Sequence, residues 1–233
     1  SPSQQQLSNL LEHYQAGRWG EATQLGTSIS QEFPQQQFAY KILGAIFGQT
    51  GKTSEAARAN QKAVALSPQD AEAHSNLGNT LKELGRLDAA TASYTQAIAL
   101  KPDFVQAHYN LGVMLKELGR LDEAEASYRQ AIELKPDYAK VHNNLGNTLQ
   151  ELGRLDEAEA SYIRAIVLKP NYAEAHSNLG MTLNAMGSKK SALKHFEINL
   201  QLKRGINPVD LHHKSFRQIS NAKLDHDIEQ FEY

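Results

Sequence analysis

Two sets of side chains in this chain stand at a fixed spacing and could do chemistry. His74, His108, His142 and His176 follow one another at intervals of 34 residues, and Asn76, Asn110, Asn144 and Asn178 do the same two residues later. Histidine is a common zinc ligand, whereas a carboxamide offers both a donor and an acceptor, which suits the backbone of an extended peptide. Geometry argues against zinc. With one histidine per unit on helices packed about 8–10 Å apart, like positions lie on the order of 10–20 Å from one another, whereas zinc needs each ligand nitrogen within about 2.1 Å. The histidines are therefore expected to be packing residues, and no metal or other cofactor is expected. The asparagines have no such explanation, because Asn is a mediocre helix former and local propensity does not select it. No GxSxG, phosphate-cradling glycine loop or HExxH is present, so no catalytic residues are assigned. The carboxylates of LDEAEA fall at a helix start, where they favour the helix dipole.

The elements that must position these residues come from an internal repeat. AEAHSNLGNTLKELGRLDAATASYTQAIALKPDF, read from Ala71, is followed without insertion by VQAHYNLGVMLKELGRLDEAEASYRQAIELKPDY and AKVHNNLGNTLQELGRLDEAEASYIRAIVLKPNY. Each copy reads as a helical hairpin. His108, Leu111, Gly112 and Leu115 form one apolar stripe, Gly119 breaks the helix, and Ala124, Tyr128, Ala131 and Ile132 form a second stripe. Asp122 and Glu125 have the spacing of a capping box for the second helix, Pro136 ends it, and Asp137 is placed to cap the next unit. Small Gly112, Ala124 and Ala131 allow close helix approach, while Leu111 and Tyr128 fill the layer between. A single hairpin leaves an apolar face uncovered, so the units must stack.

These residues resemble the tetratricopeptide repeat (TPR). Counted from Ala71, the family's pattern positions hold His74, Leu77, Gly78, Leu81, Ala90, Tyr94, Ala97 and Pro102. The register extends outwards with decay, giving six units at 3–36, 37–70, 71–104, 105–138, 139–172 and 173–206. In the first of these the opening helix looks irregular. A tail, 207–233, is read as a helical cap or a linker, with Pro208 as a helix start and Leu224, Ile228 and Phe231 as a stripe. The resemblance implies an all-α fold, a right-handed superhelical solenoid of stacked antiparallel helix pairs, with positions 2, 5, 6, 9, 12 and 13 of each unit lining a concave groove. The four asparagines at position 6 look like the ladder that lines the TPR superhelix of O-linked N-acetylglucosamine transferases, where the amides hold peptide backbone. The candidate groove residues are Asn76, Asn110, Asn144 and Asn178 with Asn79, Asn147, Tyr109, Lys82, Lys116 and Lys140. Val113 and Met181 would join Lys82, Lys116 and Tyr109 in reading ligand side chains. Two other readings of the ladder stand beside this one: the amides register the stack by bonding the neighbouring helix, or duplication copied them. Leu7, Leu11, Tyr14, Phe38 and Ile42 are either an apolar groove end or a cluster packed on itself, with packing favoured. A carboxylate clamp of the co-chaperone kind is matched by Asn79, Asn110 and Lys140. It lacks the positive charge where Ser75 and Asn144 stand, and is not expected.

Bulk properties narrow the partners. Among 233 residues, 24 basic and 26 acidic side chains give a net charge of −2, so no field draws nucleic acid or an anionic membrane. Cysteine is absent, which removes disulfide and thiolate chemistry and suits a reducing, cytoplasmic setting, expected to be bacterial. The start SPSQQQLSNLL shows neither a basic region nor an apolar run, so no signal peptide is expected, and no run of about 18 apolar residues suggests a membrane span. Arrays of this kind bind partners rather than transform them. The expected function is a non-enzymatic scaffold holding a peptide or partner protein. Two alternatives are a substrate-recruiting region of a larger enzyme (a glycosyltransferase, 2-oxoglutarate hydroxylase or sulfotransferase) and a self-associating assembly module. His212, His213 and His226, near Asp225 and Asp227, carry a minor surface-metal reading.

Overall fold

The sequence offset reappears in the backbone, where helices open at residues 37, 71, 105, 139 and 173. The computed structural model describes residues 1–206. Every regular element among them is an α-helix, and the chain divides into two compact units, Ser1–Arg120 and Leu121–Tyr233. The first holds α1 (Gln4–Gln15), α2 (Trp19–Glu32), α3 (Gln37–Gln49), α4 (Thr53–Leu66), α5 (Ala71–Glu83), α6 (Leu87–Leu100) and α7 (Val105–Glu117). The second holds α8 (Leu121–Leu134), α9 (Ala139–Glu151), α10 (Leu155–Leu168), α11 (Ala173–Ala185) and α12 (Lys189–Lys203). Within each unit, consecutive helices pack as antiparallel neighbours. The odd-numbered helices also touch each other, α1 with α3, α3 with α5 and α5 with α7 in the first unit, and α9 with α11 in the second. Each unit therefore has a layer made of odd-numbered helices, and that layer carries the asparagines. The tail 207–233, with Pro208, its apolar stripe and its histidines, lies outside the described residues.

The hairpin turn has a physical cause that differs from the capping box expected from sequence. After α9, Gly153 takes φ +76°, its N–H donates to the Gln150 carbonyl at 3.0 Å, and the Arg154 N–H donates to the Leu149 carbonyl at 2.9 Å. These two bonds make a Schellman motif, and its left-handed residue selects glycine. Arg154 then stands at the N-cap of α10 with no side-chain cap bond. In α8, Asp122 is likewise already the second helical residue, inside the helix rather than at its cap. Its carboxylate acts on the dipole of the first turn, while Glu125 turns to Arg129 and Arg154. Asp137 does not cap α9 either; the N-cap there is Tyr138, and no side-chain bond is made. A carboxylate cap does form at α5, where Asp70 accepts the Ala73 N–H at 3.1 Å. The opening helix α1 is regular and starts with a capping box between Ser3 and Gln6.

Packing follows the small-against-large rule. A Cβ placed on Gly78 would lie 2.7 Å from the ring of Tyr94, and one on Gly146 would lie 2.6 Å from that of Tyr162. Both tyrosines are fully buried, as are Ala90, Ala97, Ala158 and Ala165 beside them. Each such ring contributes on the order of 1.5–3 kcal/mol of burial, and each depends on a glycine in the facing helix. At the chain's start, Leu10, Ala22, Ile29 and Ile46 form a core against which Leu7, Tyr14, Trp19 and Phe38 pack. Trp19 meets Tyr14 at a centroid distance of 5.6 Å, which closes the α1–α2 turn. Among the described residues, no helix is long and apolar enough to cross a membrane.

Candidate functional site

The histidines are structural. His74, His108, His142 and His176 each place Nε2 on a main-chain carbonyl six residues back, those of Pro68, Pro102, Pro136 and Pro170, at 2.9, 2.8, 3.0 and 3.0 Å. The ring nitrogen thereby ties the helix to the turn that precedes it, where each proline stands two residues past the end of the previous helix. Burial holds His142 and His176 below the ordinary histidine pKa, which keeps them neutral. Among the described residues, no group of three or more His, Asp or Glu side chains is placed to hold a metal ion.

The asparagines form short chains of hydrogen bonds that cross from one hairpin to the next. In the first unit the Tyr94 hydroxyl donates to Asn79 Oδ1 at 2.8 Å, and Asn110 Nδ2 donates to the same oxygen at 2.9 Å. The second unit repeats the arrangement: Tyr162 donates to Asn147 Oδ1 at 2.7 Å and Asn178 Nδ2 donates to it at 2.9 Å. Asn178 also donates to Asn143 Oδ1 at 3.1 Å, so both of its amide hydrogens are engaged. The chain thus runs from the second helix of a hairpin, through position 9 of its first helix, to position 6 of the next hairpin. Burial, aided by Glu83 and Glu117 at Tyr94 and by Glu151 and Glu174 at Tyr162, raises both phenols above the usual tyrosine value. They therefore remain protonated donors.

This geometry redistributes the roles drawn from sequence. Two donors meet on Oδ1 of Asn79 and of Asn147, filling its two lone pairs. Among the described residues, the Nδ2 groups of Asn79 and Asn147 have no acceptor, and Asn79 is exposed. Asn110 and Asn178, by contrast, direct donors into the stack, and Asn110 Oδ1 accepts from Gln106 at 2.9 Å. The half-buried Asn76 has Ala45 at the position-9 site one hairpin earlier, so no matching rung forms there. Asn144 is half-buried, and its main-chain carbonyl accepts the Thr148 hydroxyl at 3.0 Å. Lys82 and Lys140 are exposed and Lys116 is half-buried. Tyr109 is only 6 % exposed, so its ring is not an open reading surface as the sequence suggested. Ile42 is buried, and Leu7, Tyr14 and Phe38 pack on the same core, whereas Leu11 lies outside it and is 36 % exposed.

Sequence reasoning treated Tyr94 and Tyr162 as packing residues only and passed over Gln150. Asn143 is fully buried and donates to Glu174 at 3.0 Å; Gln150 accepts from Tyr162 at 3.0 Å and from Thr182 at 3.2 Å. A signal was present in the pairing of positions 9 and 24: Asn79 with Tyr94, Asn147 with Tyr162, Met181 with Phe196. The pairing is not strict, since Tyr128 shares its repeat with Val113.

A second polar cluster fixes α3 to the start of α5. Lys41 Nζ lies 2.9 Å from Asp70 Oδ2 and 3.0 Å from Glu72 Oε2, and Gln37 Nε2 donates to Asp70 at 2.7 Å. Burial alone would raise the Asp70 carboxyl. The bonds from Lys41, Gln37 and the Ala73 N–H outweigh it and hold the carboxyl below the ordinary range.

Comparison with known proteins agrees with the helical architecture. Family models described as TPR repeat or tetratricopeptide repeat match residues 44–85, 75–139 and 139–172. No curated protein matches the chain. Among solved structures, a crystal structure of MamA is 25% identical, with a TM-score of 0.67 over 70% of this chain and 95% of that one. MamA from Desulfovibrio magneticus RS-1 (21% identical, TM-score 0.69, 72% and 96% covered) shares the fold. So does YrrB, described as a TPR protein with an unusual peptide-binding site (21% identical, TM-score 0.66, 81% and 97% covered).

Proposed function

Because the chain belongs to the tetratricopeptide-repeat family, we propose that it is a non-catalytic interaction scaffold, each of whose two units binds extended polypeptide on its layer of odd-numbered helices. The single observation that carries this reading is the pair of amide donors that have no acceptor among the described residues, Nδ2 of Asn79 and of Asn147, each held in place by a tyrosine and a second asparagine. A donor fixed in advance on a rigid helix costs little ordering entropy when a peptide carbonyl arrives. Position-6 asparagines contribute in this reading mainly by setting the orientation of position 9. Lys82, Lys116 and Lys140 and the varying residues Val113 and Met181 select ligand side chains. A peptide as the class of ligand is supported by YrrB, which shares the fold and is described as having an unusual peptide-binding site.

The test separates holding the stack from holding the ligand. Asn79→Asp with Asn147→Asp keeps an oxygen for each tyrosine and for Asn110 or Asn178 but removes both outward N–H groups. A peptide selected from a displayed library against the unaltered chain is expected to bind this double variant at least tenfold more weakly, with helical circular dichroism unchanged. Equal affinity for the selected peptide in the double variant would sink the reading.

A further inference from the structure

We propose that the outer face of α10 is a second binding surface, separate from the asparagine-bearing layer, for a polypeptide segment that presents an apolar side chain and a carboxylate one helical turn apart. Ala160, Ile163, Arg164 and Val167 follow the i, i+3, i+4, i+7 pattern of one helix face, and all four are exposed, Ile163 at 44 % and Val167 at 61 %. The equivalent positions in α6 and α8 are polar or small: Ala92, Thr95, Gln96 and Ala99 in α6; Ala126, Arg129, Gln130 and Glu133 in α8. In α12 they are Lys194, Glu197, Ile198 and Gln201. The repeat's own packing therefore does not call for two open β-branched residues beside an arginine.

The same face opens on a crevice of about 360 Å³ between α8, α9 and α10, with Ile132, Leu145 and Ala160 as its apolar wall and the charged Arg129, Glu133 and Arg164 among its lining residues. The crevice is open where Ser161 stands. One repeat later the corresponding residue is His195, and its ring stacks on His176 at 5.3 Å. Charge decides what the occupant must carry. Arg154 and Arg129 share the carboxylates of Glu125 and Glu157, and Glu133 takes a hydrogen bond from Gln130 at 2.7 Å. Among the described residues, Arg164 has no carboxylate partner. Its guanidinium beside the crevice is complementary to an acidic side chain, and the flanking Ile163 and Val167 to an apolar one. Amphipathic segments are commonly recognised in this way, with apolar anchors giving contact and a charge fixing register.

The experiment uses two matched helical peptides added to the isotope-labelled full chain, followed by amide NMR shifts. One peptide carries Leu and Glu a turn apart, and the other has Lys in place of Glu. The Glu peptide is expected to shift signals of α10 and the crevice. Arg164→Glu should weaken it at least tenfold and transfer preference to the Lys peptide. Ile163→Gln with Val167→Gln should weaken both peptides, and the Asn79→Asp, Asn147→Asp variant should bind as the unaltered chain does. Shifts confined to the asparagine layer, or equal binding of the two peptides, would overturn the proposal. Concentration-dependent assembly by light scattering that disappears with the Ile163 and Val167 substitutions would also overturn it, by making a second copy the occupant.

Discussion

At the residue scale, the asparagines show how a repeated side chain can serve the stack and a ligand at once. Position 6 was conspicuous because it recurs without any demand from the hairpin. The structure explains part of that recurrence, since Asn110 and Asn178 bond to position 9 of the preceding repeat. What the sequence could not convey is the direction of the bonds. Only coordinates reveal that Tyr94 and Tyr162 share an acceptor with Asn110 and Asn178 and so determine which amide stays open. Removing either hydroxyl, as Tyr94→Phe or Tyr162→Phe, leaves the buried ring in place. Each change is expected to lower stability by about 0.5–1.5 kcal/mol in urea unfolding. Peptide affinity should also fall, because position 9 loses one of its two fixed contacts. Tyr109 illustrates the converse: motif position alone placed it in the groove, but its burial depends on neighbours that no single repeat contains.

At the element scale, the hairpins were legible because they are built from periodic contrasts of small and large residues. Gly146 faces Tyr162 closely enough that a methyl group would overlap the ring. Gly146→Ala is accordingly expected to cost roughly 1–3 kcal/mol by overpacking, read as a shift in the urea midpoint at constant slope. Gly153→Ala would act by a different route, forcing φ +76° on a residue with a Cβ. Helix starts were misread for a related reason. The Schellman turn delivers the chain to the next helix with an arginine at its N-cap, so Asp122 and Asp156, each the second residue of its helix, enter two residues past the cap position. A local spacing rule sees the carboxylate but not the turn geometry that sets where the helix begins.

At the scale of the whole molecule, a stack in which each hairpin touches only its neighbours responds to a local change locally. The α11–α12 hairpin carries a titratable example. His195 is pushed down to about 4 by burial, then by His176 and Lys194, and its Nδ1 lies 3.0 Å from that of His176. An unfolded histidine titrates near 6.5. Between about pH 6.5 and 4 the unfolded chain therefore binds more protons, and stability falls as pH is lowered through that window. Asp70 and Glu125 are also lowered, but for a carboxylate this favours the charged form that their cationic partners hold. Their contribution persists above about pH 4 and is lost only below it. His195→Gln should thus flatten the dependence of thermal midpoint on pH between 7 and 4.5 and leave the steeper acid limb in place. The contact between Tyr14 and Trp19 makes such locality observable. Trp19 is the chain's one tryptophan and sits in the first hairpin. Emission excited selectively from indole therefore watches the first repeat alone, whereas far-ultraviolet ellipticity averages over every helix. If the array melts from its ends inward, the two signals will give different midpoints in one sample; a single cooperative transition will superimpose them.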